Sequence, residues 1–236
     1  MRRHFLIGSL AATAATLVGC EKPQPPAPPP PPPAPPPTPP EASASASVDP
    51  ERIDWMAKIT PDNIPATSRV SVKTDKGTFI LELNGKAAPI TVANFLRYVE
   101  SGKLTGADFW RSANYNGTGF VQCSMSGTPF PAIPHEPTSK TGLSHTDGAI
   151  SMSRFEPGTA RADFVICCGD QTSMDAGREG SNDKLGYAVF GRVVKGMSVV
   201  RAILNGRISK AKAKPGQWDG QMLANPVIVT EGKLVG

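Results

Sequence analysis

Side chains that hold metals are scarce in this chain, which has three histidines and four cysteines among 236 residues. His4, His135 and His145 show no metal-ligand spacing, and neither a metal nor any other cofactor is expected. Long apolar runs are missing too. Phe5–Val18 falls short of the roughly 20 residues that a membrane-spanning helix needs. There is no internal repeat and no Gly-rich loop of the kind that cradles phosphate. Ser144, His145 and Asp147 are near neighbours, but a catalytic triad is assembled in space, so their proximity in sequence signals nothing. The net charge of +5 is dispersed. The one small basic cluster, Lys210, Lys212 and Lys214, has no interleaved aromatic residue, which argues against a nucleic-acid partner.

What is abundant is proline, unevenly placed: more than half of the 25 prolines lie between Pro23 and Pro40. Such a run packs no core and favours polyproline II, reaching roughly 55 Å at about 3.1 Å per residue. Upstream, Arg2, Arg3 and His4 precede the apolar stretch Phe5–Val18, as in an export signal. Leu17-Val18-Gly19-Cys20 resembles a bacterial lipobox, which implies lipidation of Cys20, and Arg2-Arg3 also resembles a twin-arginine signal. The expected organisation is a signal peptide over 1–19, a lipid-anchored Pro-rich linker over 20–50, a lead-in over 51–67 and a monomeric domain over 68–236. Position 21 is Glu, without the aspartate that often signals inner-membrane retention. The expectation is a protein of the bacterial cell envelope, held on the outer membrane with its domain facing the periplasm.

With Cys20 assigned to the lipid, Cys123, Cys167 and Cys168 remain. The last two are adjacent, so in a strand they point to opposite faces. Buried free thiols are expected, and a disulfide of either with Cys123 stays open.

About 185 residues are left for the domain, enough for one well-buried core. Arg69–Lys73 and Thr78–Leu83 alternate in hydrophobicity around a Gly-containing turn and read as a hairpin. Val92, Phe95, Leu96 and Val99 fall at helical spacing, with Thr91 as the expected cap and Gly102 as the stop. Short strands are expected around 109–111, 119–123, 149–153, 164–168, 187–194 and 226–230, with a second helix over about 197–204. Many short strands and few helices point to a closed barrel or a sandwich.

Six segments, in order, then carry a resemblance. They are Ala88-Pro89-Ile90-Thr91-Val92-Ala93-Asn94-Phe95, Phe109-Trp110-Arg111, Gly119-Phe120-Val121-Gln122, Gly148-Ala149-Ile150-Ser151-Met152, Asp163-Phe164-Val165-Ile166, and the run from Tyr187 to Val194 with Gly196-Met197 after it. Together they resemble the cyclophilins, a family of peptidyl-prolyl cis-trans isomerases. The resemblance implies a closed eight-stranded antiparallel barrel with two helices, mainly β, whose outer groove rotates the peptide bond before proline in segments of exported proteins, without a cofactor.

It also implies roles. Arg111 is the expected catalytic arginine and Gln122 its partner. Phe109, Phe120, Ser153, Arg154, Asp163, Val165, Met174 and Tyr187 are the expected substrate contacts. The departures from the family pattern are Val165 for a phenylalanine, Ser153-Arg154 for Ala-Asn, Asp163 for a glutamine, Ser173 for a tryptophan and Tyr187 for a histidine. The Arg-to-Gln spacing of eleven is longer than the usual eight, which implies a longer loop. An alternative reading is a catalytically weak or inactive barrel that binds peptide or protein.

Overall fold

A computed structural model describes residues 63–210 and 218–235. The expected signal peptide, Cys20, the Pro-rich linker, most of the lead-in, Lys212 and Lys214 lie outside the described residues.

Eight strands carry the fold: β1 (Thr67–Thr74), β2 (Gly77–Asn84), β3 (Asp108–Tyr115), β4 (Thr118–Ser124), β5 (Ala149–Met152), β6 (Asp163–Cys168), β7 (Ala188–Lys195) and β8 (Met222–Val235). They close a barrel in the order β1-β2-β7-β5-β6-β4-β3-β8, with β1 bonded to both β2 and β8. Every pair is antiparallel. Closure leaves no unpaired sheet edge, the usual template for aggregation. The strand alternation seen in the sequence is the alternation of burial: Phe79, Leu81 and Leu83 of β2 are fully buried while their neighbours are not.

Three α-helices, α1 (Pro89–Glu100), the single turn α2 (Thr138–Thr141) and α3 (Met197–Leu204), and a 3-10 turn (Thr172–Met174) complete the described fold. Val92, Phe95, Leu96 and Val99 of α1 join the core, and Phe95 packs its ring 5.4 Å from Phe164 and 5.3 Å from Phe190. Each such fully buried ring contributes on the order of 1.5–3 kcal/mol by apolar burial. α3 buries Val200, Ile203 and Leu204.

Thr91 does not cap α1. The helix begins at Pro89, and Thr91 lies buried in its first turn. Glu136 takes the cap's place: its carboxylate accepts from the backbone N–H groups of Ile90 (3.3 Å) and Thr91 (2.8 Å) and from the Thr91 hydroxyl (2.7 Å). An anion at the positive end of the helix satisfies donors that the helix leaves open.

The three described cysteines are free and buried. Cys168 faces the main core while Cys167 packs with Ala149 and Val189, the opposite faces that adjacency requires. Burial pushes the Cys167 thiol up to about 12 and the Cys168 thiol up to about 11.

Candidate active site

The β3–β4 hairpin builds the centre of the site. Tyr115 pairs with Thr118 across the two-residue turn Asn116-Gly117, and both turn residues have positive φ (57° and 91°). This is the Asn-Gly signature of a tight hairpin whose twist matches its strands. From that turn the register runs back to the pair Arg111–Gln122. The eleven-residue spacing is therefore taken up by paired strand residues and a two-residue turn, and not by the longer loop that the sequence suggested.

A bulge then aims the arginine. The β3–β4 register shifts between Phe109 and Arg111, leaving Trp110 as the extra residue. In a regular strand, residues two apart share a face. The bulge reverses the phase, so Phe109 pairs with inward Cys123 while Arg111 pairs with Gln122 on the outside. This corrects the expectation that Phe109 contacts substrate: it is fully buried, edge-on to Phe79 at 6.2 Å and Phe164 at 6.0 Å.

Arg111 is only 9% exposed, yet it has no ion-pair partner among the described residues. Its Nε donates to Gln221 Oε1 (2.8 Å) and its Nη1 to Gln122 Oε1 (2.9 Å), while nothing described bonds Nη2. Phe120 and Trp218 lie against the guanidinium, at 5.0 Å and 4.4 Å from their ring centroids. Burial pushes Arg111 down to about 10, which leaves it protonated at neutral pH. Gln122 is oriented in turn by Asp163, which accepts from its Nε2 (3.3 Å) and from Ser124 Oγ (2.8 Å).

Arg111, Phe120, Gln122, Asp163 and Trp218 line a groove of about 500 Å³. Of the expected contacts, Phe120, Gln122, Ser153, Arg154, Asp163, Val165, Met174 and Tyr187 all reach it with Arg111. Ser173 is exposed and does not line it. The three most exposed aromatics among the described residues, Phe155 (86%), Tyr115 (55%) and Trp218 (40%), also line this groove. Exposed rings gathered on one concavity mark a surface that takes a ligand.

Arg154 holds the wall and not a peptide. Its Nε donates to Gly186 O (3.0 Å), Nη1 to Phe155 O (3.0 Å) and Asp183 Oδ2 (2.7 Å), and Nη2 to Asp183 Oδ1 (2.9 Å) and Gly186 O. Five N–H groups make five bonds, so no donor is left to grip a substrate backbone. The same bonds hold the Asp183 carboxyl well below the usual range.

Sequence reasoning missed Trp218 and Gln221, and it set His145 aside. His145, fully buried, bonds Asp175 through Nδ1 (2.6 Å) and Ser151 Oγ through Nε2 (2.9 Å). Burial lowers its pKa, so the ring is neutral at pH 7: Nδ1–H donates to the carboxylate and Nε2 accepts from the hydroxyl. The order Ser–His–Asp is that of a hydrolytic triad, but Ser151 is fully buried and no substrate reaches it. Ser151 instead pairs with Val165 beneath the groove. The signal was absent locally, because Asp175 lies far along the chain from both partners.

Comparison with known proteins bears on this geometry. The sequence model of the family "Cyclophilin type peptidyl-prolyl cis-trans isomerase/CLD" matches residues 69–230. Peptidyl-prolyl cis-trans isomerase cyp18 of Streptomyces antibioticus is 33% identical over 173 residues, covering 72% of this chain and 99% of that protein. Peptidyl-prolyl cis-trans isomerase A of Dickeya dadantii is 31% identical, covering 72% and 85%. Peptidyl-prolyl cis-trans isomerase B of Escherichia coli is 33% identical, covering 57% and 82%. Among solved structures, a cyclophilin type peptidyl-prolyl cis-trans isomerase of Cryptosporidium parvum shares the fold, with a TM-score of 0.56 at 17% identity over 72% of this chain and 98% of that one.

Proposed function

The chain belongs to the cyclophilin-type peptidyl-prolyl cis-trans isomerases, and we propose that it applies this activity at the bacterial cell envelope, to proline-containing segments of exported proteins as they fold. The isomerase reading takes precedence over a purely binding barrel because relatives across most of the domain carry that activity in their names. The observation that carries the site assignment is the held but incompletely bonded Arg111 guanidinium in the aromatic-lined groove.

The chemistry follows from the amide. Rotation about the bond before proline loses resonance, which sets a barrier of about 18–20 kcal/mol. In the twisted form the prolyl nitrogen keeps its lone pair and becomes a better acceptor. A donor that meets this nitrogen binds the twisted form better than either planar isomer, and that difference is catalysis. Arg111, charged and fixed before substrate arrives, is such a donor. Gln221 and Gln122, the latter oriented by Asp163, hold it, and Phe120, Val165 and Met174 offer apolar contact for the proline ring. No covalent bond forms or breaks.

The envelope assignment is supported by the signal-like first nineteen residues, the lipobox-like Leu17-Val18-Gly19-Cys20 and the polyproline run that follows. In this reading Cys20 carries the lipid, the linker holds the domain off the membrane, and the outer membrane is the site of attachment. Slow prolyl isomerisation limits folding over about 10–100 s, so an activity that needs no ATP suits this compartment. Fractionating cells that make the full chain or its Cys20→Ser variant tests the tether. The full chain is expected in the outer-membrane fraction and the variant in the soluble periplasmic extract. Identical fractionation of the two would remove the lipid anchor from the account.

A further inference from the structure

We propose that Trp218 is a positioning residue for the isomerisation, holding the Arg111 guanidinium in the orientation in which it meets substrate. This rests on the reading of Arg111 given above.

A single turn delivers two contacts to the arginine. Gln221 N–H donates to Trp218 O (3.2 Å), closing a turn over Trp218-Asp219-Gly220-Gln221, with Gly220 at φ 73°. Ser112 N–H donates to Gln221 O (2.8 Å), which fastens the turn to β3 beside Arg111. From there the turn places an indole against the face of the guanidinium and an amide oxygen on its edge.

The indole also closes a circuit. Trp218 packs on Trp110 at 5.4 Å, Trp110 Nε1 donates to Ser124 Oγ (3.0 Å), and Ser124 Oγ donates to Asp163, which orients the Gln122 that accepts from Arg111. Arg111 is thus held from both ends of one chain of contacts. Core packing does not call for this ring, since Trp218 is 40% exposed and outside the hydrophobic core. An exposed indole gains little by burial here, but stacking restricts a long, flexible cation and strips water from it. The lowered pKa of Arg111, caused chiefly by burial, is consistent with that removal of water.

The test compares Trp218→Ala, Trp218→Phe, Gln221→Ala and the Trp218→Ala/Gln221→Ala double variant in the full chain. Arg111→Ala is the reference, and exchange on an Ala-Pro peptide is measured to separate kcat from KM. Trp218→Ala is expected to lower kcat roughly tenfold or more with little change in KM, the pattern of a misplaced catalytic group. Trp218→Phe restores most of kcat, and the double variant loses less than the product of the single losses, because both contacts serve one guanidinium. A rise in KM with kcat intact would make Trp218 a substrate wall only and overturn the proposal. So would a Trp218→Phe variant as poor as Trp218→Ala, or a fully active Trp218→Ala beside an inactive Arg111→Ala. Full activity in Arg111→Ala would instead remove the underlying reading, and the proposal with it. If Trp218→Ala fails to fold, Trp218→Phe and Gln221→Ala carry the comparison.

Discussion

The proposed mechanism rests on one cation in the groove, nearly buried and only partly bonded. Removing it tests what it does: Arg111→Ala is expected to lower kcat by about 10²–10³, the range typical for loss of a preorganised transition-state donor. Arg111→Lys should not rescue it, because an ammonium presents its donors from one point and lacks the planar fork that spans Gln122, Gln221 and the substrate position. A second prediction concerns Val165, which is 4% exposed and lines the same groove. Val165→Phe restores apolar contact worth roughly 1–2 kcal/mol, so the peptide KM should fall by about five- to thirtyfold. Steady-state kinetics on one proline peptide reads both. At this scale the sequence was most legible where the six segments lie. It misled at Phe109, whose side chain is turned inward by a bulge that no local composition announces. It did not show that at Arg154, which stands where the family has asparagine, the donors serve Asp183 and Gly186 while the residue lines the groove.

Between residues and fold stand the hairpin and the first helix. Gly119 sits at φ 131°, and an added Cβ would lie 1.8 Å from the Ala113 carbonyl oxygen, a backbone atom. Gly119→Ala is therefore expected to force the β3–β4 register apart, lowering the unfolding midpoint and losing activity together; a stable, active variant would contradict the hairpin's role in aiming Arg111. Glu136 caps α1 from a long sequence distance. Glu136→Ala strands buried donors and is expected to cost about 1.5–3 kcal/mol, read by denaturant unfolding. Element existence was largely readable, since alternation and helical spacing follow from which face is buried. The cap was not, because Thr91 is a good local candidate and the actual anion arrives from tertiary structure. The Asn116-Gly117 turn was read from the sequence only as a longer loop, whereas the structure closes the hairpin on those two residues.

For the molecule as a whole, closure into a barrel makes stability depend on a buried polar cluster. Burial holds the His145 pKa below its ordinary 6.5, so the unfolded chain takes up that proton first. Burial by itself would raise Asp175, but the hydrogen bonds from Ser144 and from the His145 ring and backbone outweigh it and lower its pKa. The signs agree. The His145 contribution is full above about pH 6.5 and is lost as pH falls below it, and the Asp175 contribution is lost at still lower pH. Unfolding midpoints should fall between pH 7.5 and 5.5, at no more than about 1.4 kcal/mol per pH unit for one proton, and His145→Gln should flatten that part of the curve. The barrel itself was legible as a count of short strands, whereas this cluster joins residues that only the closed fold brings together.

Cis–trans exchange of a short Ala-Pro peptide, followed by exchange spectroscopy with the full chain and with Arg111→Ala, tests the central claim most directly. The account predicts exchange cross-peaks with the wild type that vanish in the variant, while peptide shifts still report binding. Equal exchange in the two proteins would contradict it, because the twisted bond would then be stabilised by something other than the Arg111 guanidinium.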